Sequence, residues 1–184
     1  WTYHTQQIGR AGTGYVNDYN GNMILTHATA STYGNLMPAT LTHVYNSNDK
    51  DIDMGYGYGF RLNYHQTLAP VTIGTINYYE YVDEDGTHHY FYNDTEKKKW
   101  VDESGIDLTL AIDTASADRY TITDKDDQKL IFNSDGRLAK VMDANGNTLT
   151  VTYENGKILS VRDKVGRTLV FTYTVDGLLD KVNG

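Results

Sequence analysis

"DANGNTLTVTYENGKILSVRDKVGRTLVFTY", residues 143–173, states nearly the same phrase twice. Asp143 returns as Asp163, Gly146 as Gly166, Leu149 as Leu169 and Tyr153 as Tyr173, each time after 20 residues. Within a copy the residues alternate. Leu149, Val151 and Tyr153 fall on one face of an extended chain, and Thr148, Thr150 and Thr152 fall on the other. Leu169, Phe171 and Tyr173 repeat the first set. A period of two, apolar on one side and β-branched polar on the other, specifies strands of a sheet that is covered on one face only. The segments between turn signals are too short for helices and have the wrong period.

The pattern extends in both directions. "DGRLAKVMD" (135–143), "NGKILSVRD" (155–163) and "DGLLDKVNG" (176–184) align on Gly136, Gly156 and Gly177, which brings the pairs Leu138/Val141, Ile158/Val161 and Leu179/Val182 into register. Asn145-Gly146, Asn155-Gly156 and Asp176-Gly177 supply the positive-φ positions that tight hairpins need. Upstream, "TITDKDDQKLIFNSDGRL" (121–138) turns at Asp126-Asp127, and "GIDLTLAI" (105–112) alternates through Ile106, Leu108, Leu110 and Ile112. "INYYEYVDEDGTHHYFYND" (76–94) reads as an aromatic hairpin joined around Asp85-Gly86. Residues 76–184 are therefore expected to form successive hairpins, with 1–75 as a less regular β lead-in. Strands are expected there at 22–29, at 39–47 and at the end of 55–68. A soft boundary is placed near 75, or near 115 where the repeat becomes regular, and "DTASADR" (113–119) is the one short stretch with helical character. No low-complexity linker interrupts the chain, so one continuous folded unit is expected.

A lone hairpin is marginal in water, because two strands cannot hide their apolar face. Hairpins laid side by side share one covered face, and each is stabilised by its neighbours. The expected fold class is all-β: consecutive antiparallel hairpins in a curled sheet or sandwich. The 16 Tyr, 17 Gly and only 2 Pro agree with this. A formal charge of −8 argues against nucleic acid and anionic membrane surfaces as partners. The chain has no Cys, so disulfides and thiol chemistry are excluded. No apolar run reaches the roughly 18 residues of a membrane span. "WTYHTQQIGR" is too polar to be a secretion signal, so an exported form would be a processed piece.

The stretch "DGRLAKVMDANGNTLTVTYENGKILSVRD" resembles the YD repeat of the Rhs family, which includes bacterial Rhs and wall-associated proteins and teneurins. The likeness is good over 120–184 and loose over 76–119. "GRAGTGYVNDYNGN", "THVYNSND" and "GYGYGFRLNYHQ" resemble the segment that precedes such repeats in large secreted Rhs-type proteins. In that family the repeats wind into a β-shell, often around a C-terminal toxin. The resemblance implies a scaffold-like segment of an exported bacterial protein, extracellular or wall-associated. Its partner would be the rest of the parent shell, and its open sheet ends would allow self-association.

Chemistry-bearing residues are few. His4, His27, His43, His65, His88 and His89 make no metal-binding spacing, and His88 and His89 must point to opposite faces of a strand. Asp49, Asp51 and Asp53 alternate like the start of a calcium loop, but Met54 and Phe60 stand where an EF-hand needs Gly and Glu. An irregular calcium site at these three residues remains an option beside a solvated acidic turn. "DEDG" (83–86) and "DKDD" (124–127) read as turns rather than paired catalytic carboxylates. No serine has a nucleophile-elbow context and "GRAGTG" (9–14) lacks the strand–helix setting of a phosphate loop, so no enzyme and no cofactor are expected. "KKK" (97–99) reads as a solvated hairpin end that discourages edge pairing. The alternative to a pure scaffold is a carbohydrate-binding module. Tyr78, Tyr79, Tyr81, Tyr90, Tyr92 and Trp100 would supply its rings; they fall on both faces, Tyr78 opposite to Tyr79 and Tyr81, so one face would be offered to the ligand.

Overall fold

The computed structural model describes residues 3–7, 13–17, 22–31, 37 and 39–184. Strands β1 (Tyr3–Gln7), β2 (Thr13–Asn17), β3 (Met23–Ser31), β4 (Thr40–Asn46) and β5 (Phe60–Leu62) form a five-stranded sheet in chain order. A second sheet has twelve strands. Its first half runs β6 (Thr67–Ile73), β7 (Ile76–Val82), β8 (His88–Asp94), β9 (Lys99–Asp102), β10 (Thr109–Ile112) and β11 (Tyr120–Thr123). It continues through β12 (Lys129–Phe132), β13 (Leu138–Met142), β14 (Thr148–Glu154), β15 (Lys157–Arg162), β16 (Thr168–Tyr173) and β17 (Leu179–Asn183). Within each sheet every strand pairs antiparallel with its neighbours in sequence, so both sheets are unbroken runs of hairpins. The expected all-β class is the observed one. Residues 113–119 are a turn between β10 and β11, and the described residues contain one short 3-10 turn at Ser47–Asp49.

The sheets change over at residues 63–66, earlier than the position near 75 suggested by the sequence. Gly74 (φ +64) makes a two-residue turn that folds β6 onto β7, pairing Ile73 with Ile76. That turn lies inside the second sheet. Residues 9–12 of the Gly-rich stretch fall outside the described residues, as do the side chains of His4 and His27.

Two turn chemistries join the strands. At Asn155-Gly156 both residues have positive φ, +50 and +79, in a two-residue hairpin. The commoner device is Asp-x-x-Gly. The Asp143 carboxylate accepts from the backbone of Asn145 and Asn147, and Asp163 does the same for Val165 and Arg167. Asp83 repeats it, Asn133 does so with an amide in place of the carboxylate, and Asp124 does so with Asp127 (φ +60) in the place of the glycine. The acidic turns are thus side chains that satisfy backbone donors.

The pairs Leu138/Val141, Ile158/Val161 and Leu179/Val182 are three residues apart, which in a regular strand would put their members on opposite faces. Each strand carries a β-bulge that solves this. Phe132 pairs with Leu138 while Ile131 pairs with Lys140, leaving Ala139 as the extra residue. Leu159 and Asp180 are the extra residues in β15 and β17. Leu138, Ile158 and Val161 consequently all reach the core. A bulge bends its strand and increases local twist, so one bulge per repeat curls the sheet.

The curl brings the eighth strand of the large sheet back to the first. Leu68 N–H donates to Gly136 O (2.8 Å), Leu138 N–H donates to Gln66 O (3.3 Å), and Thr67 bridges Arg137. The sheet does not close there, since β13 goes on to pair with β14. A Cβ on Gly136 would overlap the carbonyl of Leu68, so only glycine allows this approach. Leu41 and Leu62 of the small sheet, with Tyr64, pack into the same core as Phe91, Phe132, Leu149, Val151 and Phe171. Part of the lead-in therefore packs inside the curl, in one core with the large sheet, while the buried Ile24 and Val44 lie outside that cluster.

Candidate functional site

The repeated tyrosines are the most regular polar feature of the inner face. Tyr153 donates its hydroxyl to Leu138 O (2.6 Å), and Tyr173 donates to Ile158 O (2.7 Å). Leu138 is the first residue and Ile158 the second of a bulged strand. Above each ring lies the cation that immediately precedes the acceptor in sequence: the Arg137 guanidinium is 5.8 Å from the Tyr153 centroid, and Lys157 Nζ is 5.0 Å from that of Tyr173. Lys157 also donates to Gly177 O (2.5 Å). At these two places one repeat is thus fastened to the next by a ring, a carbonyl and a cation. The sequence shows the signal: a basic residue follows Gly136 and Gly156.

The lead-in reaches this seam. Gly55, Gly57 and Gly59 all have positive φ, and the loop they shape inserts Tyr56 beside the repeats. Tyr56 faces Tyr173, and burial, followed by that neighbour, pushes its phenol far above the usual range. His65 meets the Tyr56 ring edge-on at 6.0 Å. Burial, then the charges of Arg61 and Arg137, lower the His65 pKa to about 4, so it is neutral. Leu179 N–H, on the last strand, donates to Gly55 O (2.9 Å).

The six candidate ring residues divide between the two faces. Tyr81 is buried and donates to Gln66 Oε1 (2.5 Å). Tyr79 and Trp100 pack edge-on against each other at 4.9 Å and against the core. These three are structural and do not join a common site with the rest. Tyr78, Tyr90 and Tyr92 lie on the outer face, with Tyr78 opposite Tyr92 and Tyr90 opposite Glu80. Tyr78 and Tyr90 meet edge to face at 6.1 Å. Glu80 is 3.2 Å from His88 Nδ1, and its hydrogen bond is the main cause that raises the Tyr90 pKa.

The three aspartates weighed for calcium are used separately. Asp49 pairs with the buried Arg61 (3.4 Å), Asp51 with Lys50 (3.1 Å), and Asp53 accepts from the backbone of Gly55 and Gly57. Among the described residues no group of three or more His, Asp or Glu is arranged to hold a metal ion. His88 and His89 do point to opposite faces: His88 is outside with Glu80, and His89 is inside against Asp83.

His89 forms a knot that the sequence did not reveal. Its Nε2 lies 2.7 Å from Asp83, its Nδ1 lies 3.8 Å from Asp102, and its ring stacks on Tyr81. Burial opposes the charge on His89, yet the bond to Asp83 and the nearby carboxylates hold its pKa above the ordinary value. Burial also opposes ionisation of Asp83, but the His89 contact holds its carboxyl below the usual range. Both ring nitrogens face carboxylates, so neither is positioned to take a proton from a substrate. The knot ties the β7–β8 turn to β9. The signal was long-range, since Asp83 and Asp102 are brought together only by β8.

A family described as a domain of unknown function (DUF6531) matches residues 13–91, from β2 into β8 and across the change of sheet. No curated protein matches the chain.

Proposed function

We propose that the chain is a non-enzymatic scaffold segment of an exported protein of the Rhs/YD-repeat kind, extracellular or wall-associated, which starts a larger β-shell. The observation that carries this reading is the fastening repeated at a 20-residue step. Tyr153 and Tyr173 each grip a carbonyl of the preceding copy under the cation that stands just before that carbonyl's residue. A device that recurs with the repeat serves the array rather than one reactive point. The lead-in suits a shell's beginning: part of it packs inside the curl and its loop reaches β17 through Gly55. The strand β17 stands at an edge of the large sheet, a template for a further hairpin or a second copy.

The second reading, a carbohydrate-binding module, rests on Tyr78, Tyr90 and Tyr92, which share the outer face with Glu80. Two measurements separate them. Appending a second copy of residues 164–183 after Asn183 should give one unfolding transition at higher temperature if the array is additive; two separate transitions would contradict the scaffold. A glycan array probed with the chain and with Tyr92→Ala should show no saturable binding. Micromolar binding that Tyr92→Ala abolishes would favour the module.

A further inference from the structure

Four Asn-Gly dipeptides occur in the sequence, at 20–21, 145–146, 155–156 and 183–184. The second and third are turns of the repeat array, one on each side of β14, and Asn145, Gly146, Asn155 and Gly156 are all exposed. Such a pair can modify itself, because glycine lacks the Cβ that would shield its amide nitrogen from the asparagine side chain. The glycine nitrogen loses its proton and attacks the asparagine Cγ. The new N–C bond closes a five-membered succinimide as the Cγ–Nδ2 bond breaks, and Nδ2 takes up a proton and leaves as ammonia. Water then opens either carbonyl of the ring and leaves aspartate or isoaspartate. Nothing is oxidised or reduced.

The fold treats the two turns differently. Gly146 N–H donates to Asp143 O (3.1 Å), and Asp143 N–H donates to Asn147 O (3.0 Å). The Asp143 carboxylate also accepts from the Asn145 and Asn147 N–H groups and from Asn147 Nδ2. The nitrogen that would act as nucleophile is therefore engaged, in a turn held on several sides. Gly156 N–H has no hydrogen-bond partner among the described residues. Arg137 adds a second difference. Its Nη2 lies 3.3 Å from where a Cβ on Gly156 would stand, whereas a Cβ on Gly146 would meet nothing within 4 Å. A cation beside Gly156 stabilises the amide anion and the oxyanion that its attack creates.

We propose that Asn155-Gly156 deamidates spontaneously in the folded chain, that Asn145-Gly146 is protected, and that the modification loosens the hairpin carrying Lys157. Isoaspartate inserts one more backbone carbon into a two-residue turn, so Glu154 and Lys157 no longer close it in register. Lys157 is the cation over Tyr173, so the change reaches the link between copies. The site stands on this turn geometry and not on the scaffold reading.

Peptide mapping by mass spectrometry tests it, on chain kept folded in mildly alkaline buffer and on chain unfolded in guanidinium chloride at the same pH. Each asparagine is compared with its own rate in the unfolded chain, which removes the effect of the preceding residue. Folding should slow Asn145 about fivefold more than Asn155, the factor that one net hydrogen bond is worth. Chain carrying isoaspartate at position 155, once purified, should unfold at a lower temperature than the parent. Three results would each overturn the proposal: folding slows Asn155 as much as Asn145, Asn155 stays intact in the folded chain over a period that converts it in guanidinium chloride, or the isoaspartate form melts with the parent.

Discussion

Tyr153 and Phe171 show how two residues of one apolar face do different work. Phe171 is buried, so Phe171→Ala should cost about 3–5 kcal/mol in urea unfolding, through lost burial and a cavity. Val170 is its chain neighbour on the opposite, exposed side, and Val170→Ala should be nearly neutral. Tyr153→Phe keeps the ring but leaves Leu138 O without its donor, and should cost about 1 kcal/mol. A Tyr153→Phe loss as large as that of Phe171→Ala would show that the ring itself had shifted. At the β7–β8 turn the carboxylates are crowded. Burial, then Asp83, raises the Asp85 pKa from 3.8 to about 6. Its folded form holds a proton longer than the unfolded one, so this stabilisation is complete below pH 3.8 and is lost as pH rises through about 6. His89, also raised, adds a decline of the same sign above its ordinary 6.5. The thermal midpoint should therefore fall from pH 4 to 6, and Asp85→Asn should flatten that interval while keeping the acceptor for Thr87. A midpoint rising across the same interval in the parent chain, with no flattening in the variant, would contradict this assignment.

At the scale of elements, the bulges decide more than the strand propensities do. Leu159 is partly exposed, and Leu159→Ala should change stability by less than about 1 kcal/mol. Deleting Leu159 is a different perturbation. It removes the extra residue of β15, restores a plain two-residue period, and sends either Ile158 or Val161 to the solvent face. Ile158 and Val161 are both buried, so the deletion should be severely destabilising, visible as a large drop in the urea midpoint. If deletion and substitution cost the same, the bulge has no part in setting the faces. The Asp-x-x-Gly turns belong to this scale too. They explain much of the acidic composition without invoking a ligand, because each first Asp is occupied by backbone donors.

For the whole molecule, the decisive contact is the return of β6 to β13. It rests on Gly136, which has φ +77 and lies against the carbonyl of Leu68. Gly136→Ala should unseat β6 from the β12–β13 turn, lowering the thermal midpoint and exposing the Leu68 and Leu138 amides to hydrogen exchange. Gly146→Ala has the same backbone strain but open space around it, and should leave those amides protected.

The sequence by itself determined the class of fold, the hairpin order of the repeats, and which faces of β14 and β16 are covered. Those properties follow from alternation and turn residues, which act between neighbours in the chain. It also carried, in the three-residue spacing of Leu138/Val141 and Ile158/Val161, a sign of the bulges. Tertiary structure alone decided the rest. It placed β6 within the repeat sheet, divided the tyrosines into inward Tyr79 and Tyr81 and outward Tyr78, Tyr90 and Tyr92, and brought Asp83, His89 and Asp102 together. The physical reason is curvature. The accumulated twist and bulging of many strands fixes which distant residues meet, and no local pattern records that sum.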